Sequence, residues 1–184
     1  ELYEKNKSTY EREMENLRTD IANQQEYLDH SIWINMSPYD VCEARADLFV
    51  STGYQIMPGM EYQNRDNTDT ILQAYQSLLT SSAVLEDVAK QVKTEPRYLE
   101  ELVEVTIGAN QDGQLNRMLT IDVKHTTKED AEEVLGAFLA HVDDMHDRIA
   151  TSIGEHTVSI VNESVSALVN LDLAELQRQQ TEKL

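Results

Sequence analysis

The densest concentration of side chains able to hold a metal or move a proton is His141, Asp143, Asp144, His146 and Asp147. Imidazoles and carboxylates together suit zinc and other divalent ions, but the spacing does not. The surrounding periodicity predicts a helix, on which His141 and His146 stand about 140° apart. A helical two-histidine site uses positions i and i+4 on one face. Met145 falls on the apolar seam of the same helix, so the expectation is a solvated acidic face. His30, His125 and His156 stand near element ends, with no nucleophile at a readable spacing. Ser152 and Ser159 lack the G-x-S-x-G surroundings of an activated serine. Cys42 is the single cysteine, which excludes an intrachain disulfide and a cysteine-rich zinc site; a small half-buried side chain is expected there. Gly108 and Gly113 make no phosphate-binding loop, and G-x-x-x-x-G-K-[ST] is absent. Trp33, Tyr39, Tyr54, Tyr62 and Tyr75 gather in the first half, where they suit either a sugar-binding face or an ordinary core and interface. No catalytic, cofactor-binding or metal-binding residue is assigned, and the chain is read as not an enzyme. An active site assembled from distant residues is the one catalytic route that spacing leaves open.

The elements around these residues belong to a chain of 184 residues and 21.0 kDa, enough for one domain with a real core. Its 15 Lys and Arg against 34 Asp and Glu give a net charge of −19. That balance opposes nucleic-acid binding and electrostatic docking on anionic lipid. The 40% hydrophobic content excludes wholesale disorder, and six Gly with three Pro suit long regular elements. No run of apolar residues is long enough to span a membrane. Residue 1 is Glu, so the chain is read as a piece of something longer.

Over residues 1–30, Tyr3, Lys7, Tyr10, Met14, Leu17, Ile21, Gln24 and Leu28 follow one another at alternating steps of four and three. This is coiled-coil spacing with Lys7 and Gln24 as polar seam positions. Such a helix, with mixed charge and a thin seam, needs a partner within the chain or in another copy. Ser37-Pro38 closes a short apolar run. Ala44, Ala46, Leu48, Val50, Tyr54 and Ile56 then alternate with polar residues as in a half-buried strand, and Phe49 interrupts the polar side. Residues 57–67 read as a loop and Asp66 or Thr68 as a cap. Helices follow on Ile71, Leu72, Tyr75, Leu78 and Leu79, then on Leu85, Val88 and Val92, then after Pro96. Val103, Val105 and Ile107 form a hairpin with Leu119, Ile121 and Val123 around Asp112-Gly113. Thr126 with Glu129 predicts a capping box for a helix on Ala131, Leu135, Phe138, Val142, Met145 and Ile149, ending near Gly154. Val158, Ile160 and Val161 suggest a last strand, making a β-α-β unit. From about Ser166 the chain is predicted to turn helical. The fold class is α+β (α/β): a small mixed sheet with a β-α-β unit, residues 31–165 as its body, and coiled-coil-like helical arms over 1–30 and 166–184.

Several of these segments carry a family pattern. They are Asn67 to Tyr75, Val84-Leu85 with Val88-Ala89, the strand of Val103, Val105 and Ile107, and the strand from Leu119 to Val123. Lys128 to Val134 and the segment from Leu28 to Val41 complete the set. Together they resemble the extracytoplasmic domain of Wzz-type polysaccharide co-polymerases, the chain-length determinants of bacteria. Thr126-Thr127-Lys128 replaces the Asp-Pro common at the start of the family's long helix. The resemblance implies a single extracytoplasmic chain-length-determinant-like domain over 1–184, anchored in the cell membrane by flanking helices. It implies homo-oligomers beside a polymerase or growing glycan that set the length of a capsule, exopolysaccharide or O-antigen, in some members with a cytoplasmic tyrosine kinase. It implies no chemistry and no catalytic residues. The alternative from the arms alone is an outer interaction or sensor module of another membrane protein.

Overall fold

A computed structural model describes residues 2–55, 58–59 and 66–182. Two helices lead, α1 over Leu2–His30 and α2 over Ile32–Asn35, the second capped by Ser31, whose Oγ accepts from the Ile34 N–H at 3.2 Å. β1 spans Val41–Thr52, followed by α3 (Thr68–Leu79), α4 (Ser82–Gln91) and α5 (Pro96–Glu100). β2 (Val103–Ala109) and β3 (Leu115–His125) form the expected hairpin, with Gly113 at φ +77° in its turn. α6 (Lys128–Ser152), β4 (His156–Leu168) and α7 (Leu171–Glu182) complete the chain.

The sheet order is β2-β3-β1-β4, and every neighbouring pair is antiparallel. The fold is therefore α+β, but the sheet is antiparallel throughout rather than mixed. β3 and β4 run parallel to each other, as the β-α-β unit requires, yet β1 lies between them. β1 and β2 are likewise separated by β3. The body is two interlocked split β-α-β units, the ferredoxin-like order.

One face of this sheet carries the core. Ala44, Ala46, Leu48 and Val50 of β1 are each at most 1% exposed. They meet Ile71, Leu72 and Tyr75 of α3 and Leu135 and Phe138 of α6. The α6 seam is buried from Ala131 to Ile149, as its four-and-three steps predict. Its cap is shifted one residue from the expectation. Thr127 is the N-cap, accepting from the Asp130 N–H at 3.1 Å, while its hydroxyl donates to the Asp130 carboxylate at 2.6 Å. Asn67 takes the N-cap position of α3, and Asp66 instead accepts from the Thr68 N–H and hydroxyl. β1 ends at Thr52, before Tyr54; Ile56, read as its last inward residue, lies outside the described residues.

β4 departs furthest from expectation. It continues to Leu168, and the chain becomes helical only at Leu171, so the C-terminal arm starts five residues later than predicted from Ser166. Asp47 faces Asn162 while Leu48 faces Ile160, leaving Val161 as a bulge residue. Inward positions are thus Val158 and Ile160 before the bulge, and Glu163, Val165 and Ala167 after it. In the hairpin, Gly108 lies directly under the Asn116 side chain, which would have to swing aside to admit a Cβ there. A second, smaller cluster of Met36, Val41, Leu102 and Leu173 closes the end of the sheet where β1 begins and β4 ends.

Candidate interaction surface

The predicted chemical clusters disperse in three dimensions. His146 turns toward β4, its Nε2 donating to the His156 carbonyl at 3.0 Å and its Nδ1 lying 3.3 Å from Asp147. Those two interactions hold its pKa above the usual histidine value. His141, elsewhere on α6, has a buried Nε2 with no hydrogen-bond partner among the described residues. Among the described residues, no three His, Cys, Asp or Glu converge to hold a metal ion. Cys42 is a buried free thiol 3.8 Å from the Thr126 carbonyl. His125 accepts from the Thr126 N–H at 2.9 Å, and burial lowers its pKa. His30 sits in the last turn of α1, against the Glu26 carbonyl. Ser152 closes α6, and Ser159 of β4 stands opposite Phe49 of β1.

Among the described residues, the hydrogen bond between two buried side chains is that of Tyr75 with His156. His156 Nδ1 donates to the Gly154 carbonyl at 2.9 Å, so its Nε2 is left to accept from the Tyr75 hydroxyl, also at 2.9 Å. Burial, with the Asp143 charge adding, pushes the Tyr75 hydroxyl up to about 12. The pair ties α3 to the start of β4. Of the other aromatics, Tyr39 is exposed, Trp33 packs in the second cluster with Lys124 Nζ 6.0 Å from its ring, Tyr54 is half-buried beyond the end of β1, and Tyr62 lies outside the described residues.

The sheet face away from the helices is polar. Arg45 bridges Asp47 at 3.1 Å and Asp122 at 3.4 Å, and Asp47 also accepts from Thr120 at 2.6 Å and Asn162 at 3.0 Å. Burial alone would raise the Asp47 carboxyl. The bonds from Thr120, Asn162 and Arg45 outweigh it and hold the pKa below the usual range. Asp122 has fewer donors, and burial raises its pKa against the pull of Arg45. Phe49, which interrupts the polar pattern in the sequence, stands directly opposite Met118 on this face.

The arms form the most distinctive surface. α1 joins the body through its last turn: Tyr27 donates to Glu101 Oε1 at 2.5 Å, Ser31 to Oε2 at 2.9 Å, and Arg97 bridges Glu26 at 3.1 Å. Beyond that turn the seam is bare. Tyr3, Tyr10, Met14, Leu17 and Ile21 are 79, 65, 37, 55 and 66% exposed. α7 retraces the path of the chain from Gln25 to Pro38 in reverse. The Asn170 N–H meets the Pro38 carbonyl at 2.7 Å, Leu173 is fully buried, and Gln177 Nε2 donates to the carbonyls of Met36 and Ile34. Gln177 and Gln180 then face Gln25 and Leu28 across an open groove of about 550 Å³. The four-and-three spacing revealed the seam. The Glu101 anchor and the Gln177 clasp carry no sequence signal, because both depend on residues more than 65 positions apart. No described helix is long and apolar enough to cross a membrane.

No protein-family profile matches this chain, and no curated protein matches it. Among solved structures, a hydantoinase/carbamoylase family amidase from Burkholderia ambifaria aligns with it at 13% identity and a TM-score of 0.31. The alignment covers 83% of this chain and 35% of the amidase, so this chain spans about a third of that one's length. A likeness of that size carries no argument about fold or function.

Proposed function

We propose that this chain is a non-enzymatic, membrane-anchored scaffold on the extracytoplasmic face of a bacterial cell. In this reading it oligomerises beside a polysaccharide polymerase or its growing glycan and sets the length or export of a capsule, exopolysaccharide or O-antigen. A cytoplasmic tyrosine kinase is a partner through the membrane region. The observation that carries the reading is the clasp. α1 enters the body and α7 leaves it at the same end, and Gln177 of α7 donates to the carbonyls of Ile34 and Met36 in the segment that follows α1, which supports a reading in which both arms meet one surface. The bare seam of α1 supports assembly. The family pattern from Asn67 to Val134 supports the polysaccharide role.

The test is deletion of the gene and complementation, read on a gel of surface glycan. A shifted or scattered length distribution, restored by the intact gene, is expected; an unchanged distribution overturns the proposal. Apolar runs of about twenty residues are expected in the gene on both sides of residues 1–184. A run on one side only favours the sensor-module alternative.

A further inference from the structure

We infer that the bare seam of α1 is covered by α1 of a second copy of this chain, the two helices running parallel and in register as a two-stranded coiled coil. This rests on the scaffold reading in one respect: copies anchored in one membrane stand with the same polarity. The rest comes from the helix itself.

Assigning the four-and-three steps to heptads places Lys7, Met14, Ile21 and Leu28 at a, and Tyr3, Tyr10, Leu17 and Gln24 at d. Among the described residues the seam has no neighbour over most of its length. Among the described residues α7 ends at Glu182, having reached only the level of Gln25 and Leu28. Tyr3 to Ile21 lies beyond it, with five large apolar side chains in water on one stripe. A 29-residue helix with so little cover is marginal in water, and packing on a partner supplies what propensity does not.

The flanking charges select both the partner and the direction. In a parallel pair, each g position meets the e' position five residues on. Glu13 then meets Arg18 of the second copy, twice by symmetry. Asn6 meets Glu11 and Asp20 meets Gln25, so no flanking pair is repulsive. An antiparallel pair would also join Glu11 to Arg18, but it would set Glu13 against Asp20 twice. The seam's one charge, Lys7 at an a position, is a device that fixes register and strand number at a cost in stability. Residues 2–30 hold four of the chain's 15 cations and seven of its 34 acids, so a pair of arms brings together a net charge of −3 from each copy rather than the full −19.

The test uses the purified chain with single cysteines introduced on the seam. Cys42 is buried and stays in place, and the unaltered chain is the control. Met14→Cys is expected to cross-link to itself under mild oxidation, while a mixture of Met14→Cys and Leu17→Cys gives no preference for the mixed disulfide. Preferential mixed disulfide overturns the parallel arrangement. A strictly monomeric chain by light scattering at high micromolar concentration overturns the pairing altogether. Arg18→Glu is expected to weaken the dimer about tenfold, and Glu13→Arg added to it to restore the affinity. Failure of the double variant to restore it removes the charge argument and the assignment with it. Lys7→Ile is expected to tighten the dimer at least tenfold. These substitutions lie where α1 projects from the body, so far-ultraviolet circular dichroism and the thermal transition of the body serve as folding controls. A dimer in these assays with an unaltered glycan ladder would leave the pairing standing and sink only the scaffold role.

Discussion

α1 and α6 are written in nearly the same code. Both are long, both step by four and three, and both place apolar residues on one stripe. α6 spends its stripe inside the chain: Leu135, Phe138, Val142, Met145 and Ile149 lie within 5% exposure against β1 and β3. α1 holds its stripe in water. The difference lies in width and polarity. α6 adds Val134 beside its seam, which broadens the apolar face enough to lie on a sheet. α1 has only the narrow seam, interrupted by Lys7 and Gln24, which suits one other helix. Periodicity tells that a helix has a face to bury; the breadth of that face tells whether a sheet or a helix covers it.

The comparison breaks most sharply at one residue in each helix. Phe138→Ala removes a fully buried ring and is expected to cost about 3–5 kcal/mol in urea unfolding. Leu17→Ala, measured on dilute monomer, is expected to change the same transition by less than about 0.5 kcal/mol. Equal effects would mean that α1 packs on its own body. Next in size is Tyr75→Phe. It leaves His156 Nε2 buried without a donor and is expected to cost about 1–2 kcal/mol. A neutral result would show that α3 and β4 are held by apolar contact alone.

The sheet's open face sharpens the contrast through pH, with two opposite signs. Asp47 has a lowered native pKa, so its contribution is present above the unfolded value and is lost as pH falls through the native one. Asp47→Asn is therefore expected to lose about 1 kcal/mol near neutrality and progressively less in acid. Asp122 has a raised native pKa, so its ionised form opposes folding near neutrality and ceases to do so as pH falls through that pKa. Asp122→Asn is expected to stabilise the chain near neutrality and to lose that advantage in acid. Matching pH profiles for the two variants would overturn the assignment. Smallest of all, deletion of residues 1–24 is expected to move the thermal midpoint of the body by less than about 2 °C, because the Glu101 anchor uses only Tyr27 and Ser31.

Much of this architecture is legible in the residues. β1 shows its alternation because one face is fully buried and the other is polar. The hairpin shows Asp112-Gly113 because its turn needs a positive φ at Gly113. The α6 seam shows because burial is continuous along it. The C-terminal end of β4 is not legible in the sequence, for a definite reason. The Val161 bulge shifts the inward residues from even to odd positions halfway along the strand, so no single period-two pattern spans it. Most of its side chains are also exposed, which weakens the contrast that alternation depends on. The split of the β-α-β unit by β1 is invisible for another reason. Periodicity reports which face of an element is buried, not which strand lies beside it. The polar grouping of Arg45, Asp47, Asp122, Thr120 and Asn162 is hidden likewise, because it is assembled across three strands.

The clasp between α7 and the entry segment has a mechanical consequence. Val41 and Leu168 are paired, so the two arms attach to adjacent ends of neighbouring antiparallel strands. Tension applied between the arms would first peel Gln177 from the carbonyls of Ile34 and Met36, then open the β1–β4 ladder from Val41 inward, one pair at a time. That is unzipping, in which bonds yield singly, rather than shear, in which they share the load. Tension applied along both arms together, against the body, leaves the ladder unloaded. The molecule is thus soft to forces that spread its arms and stiff to forces that act on them in common.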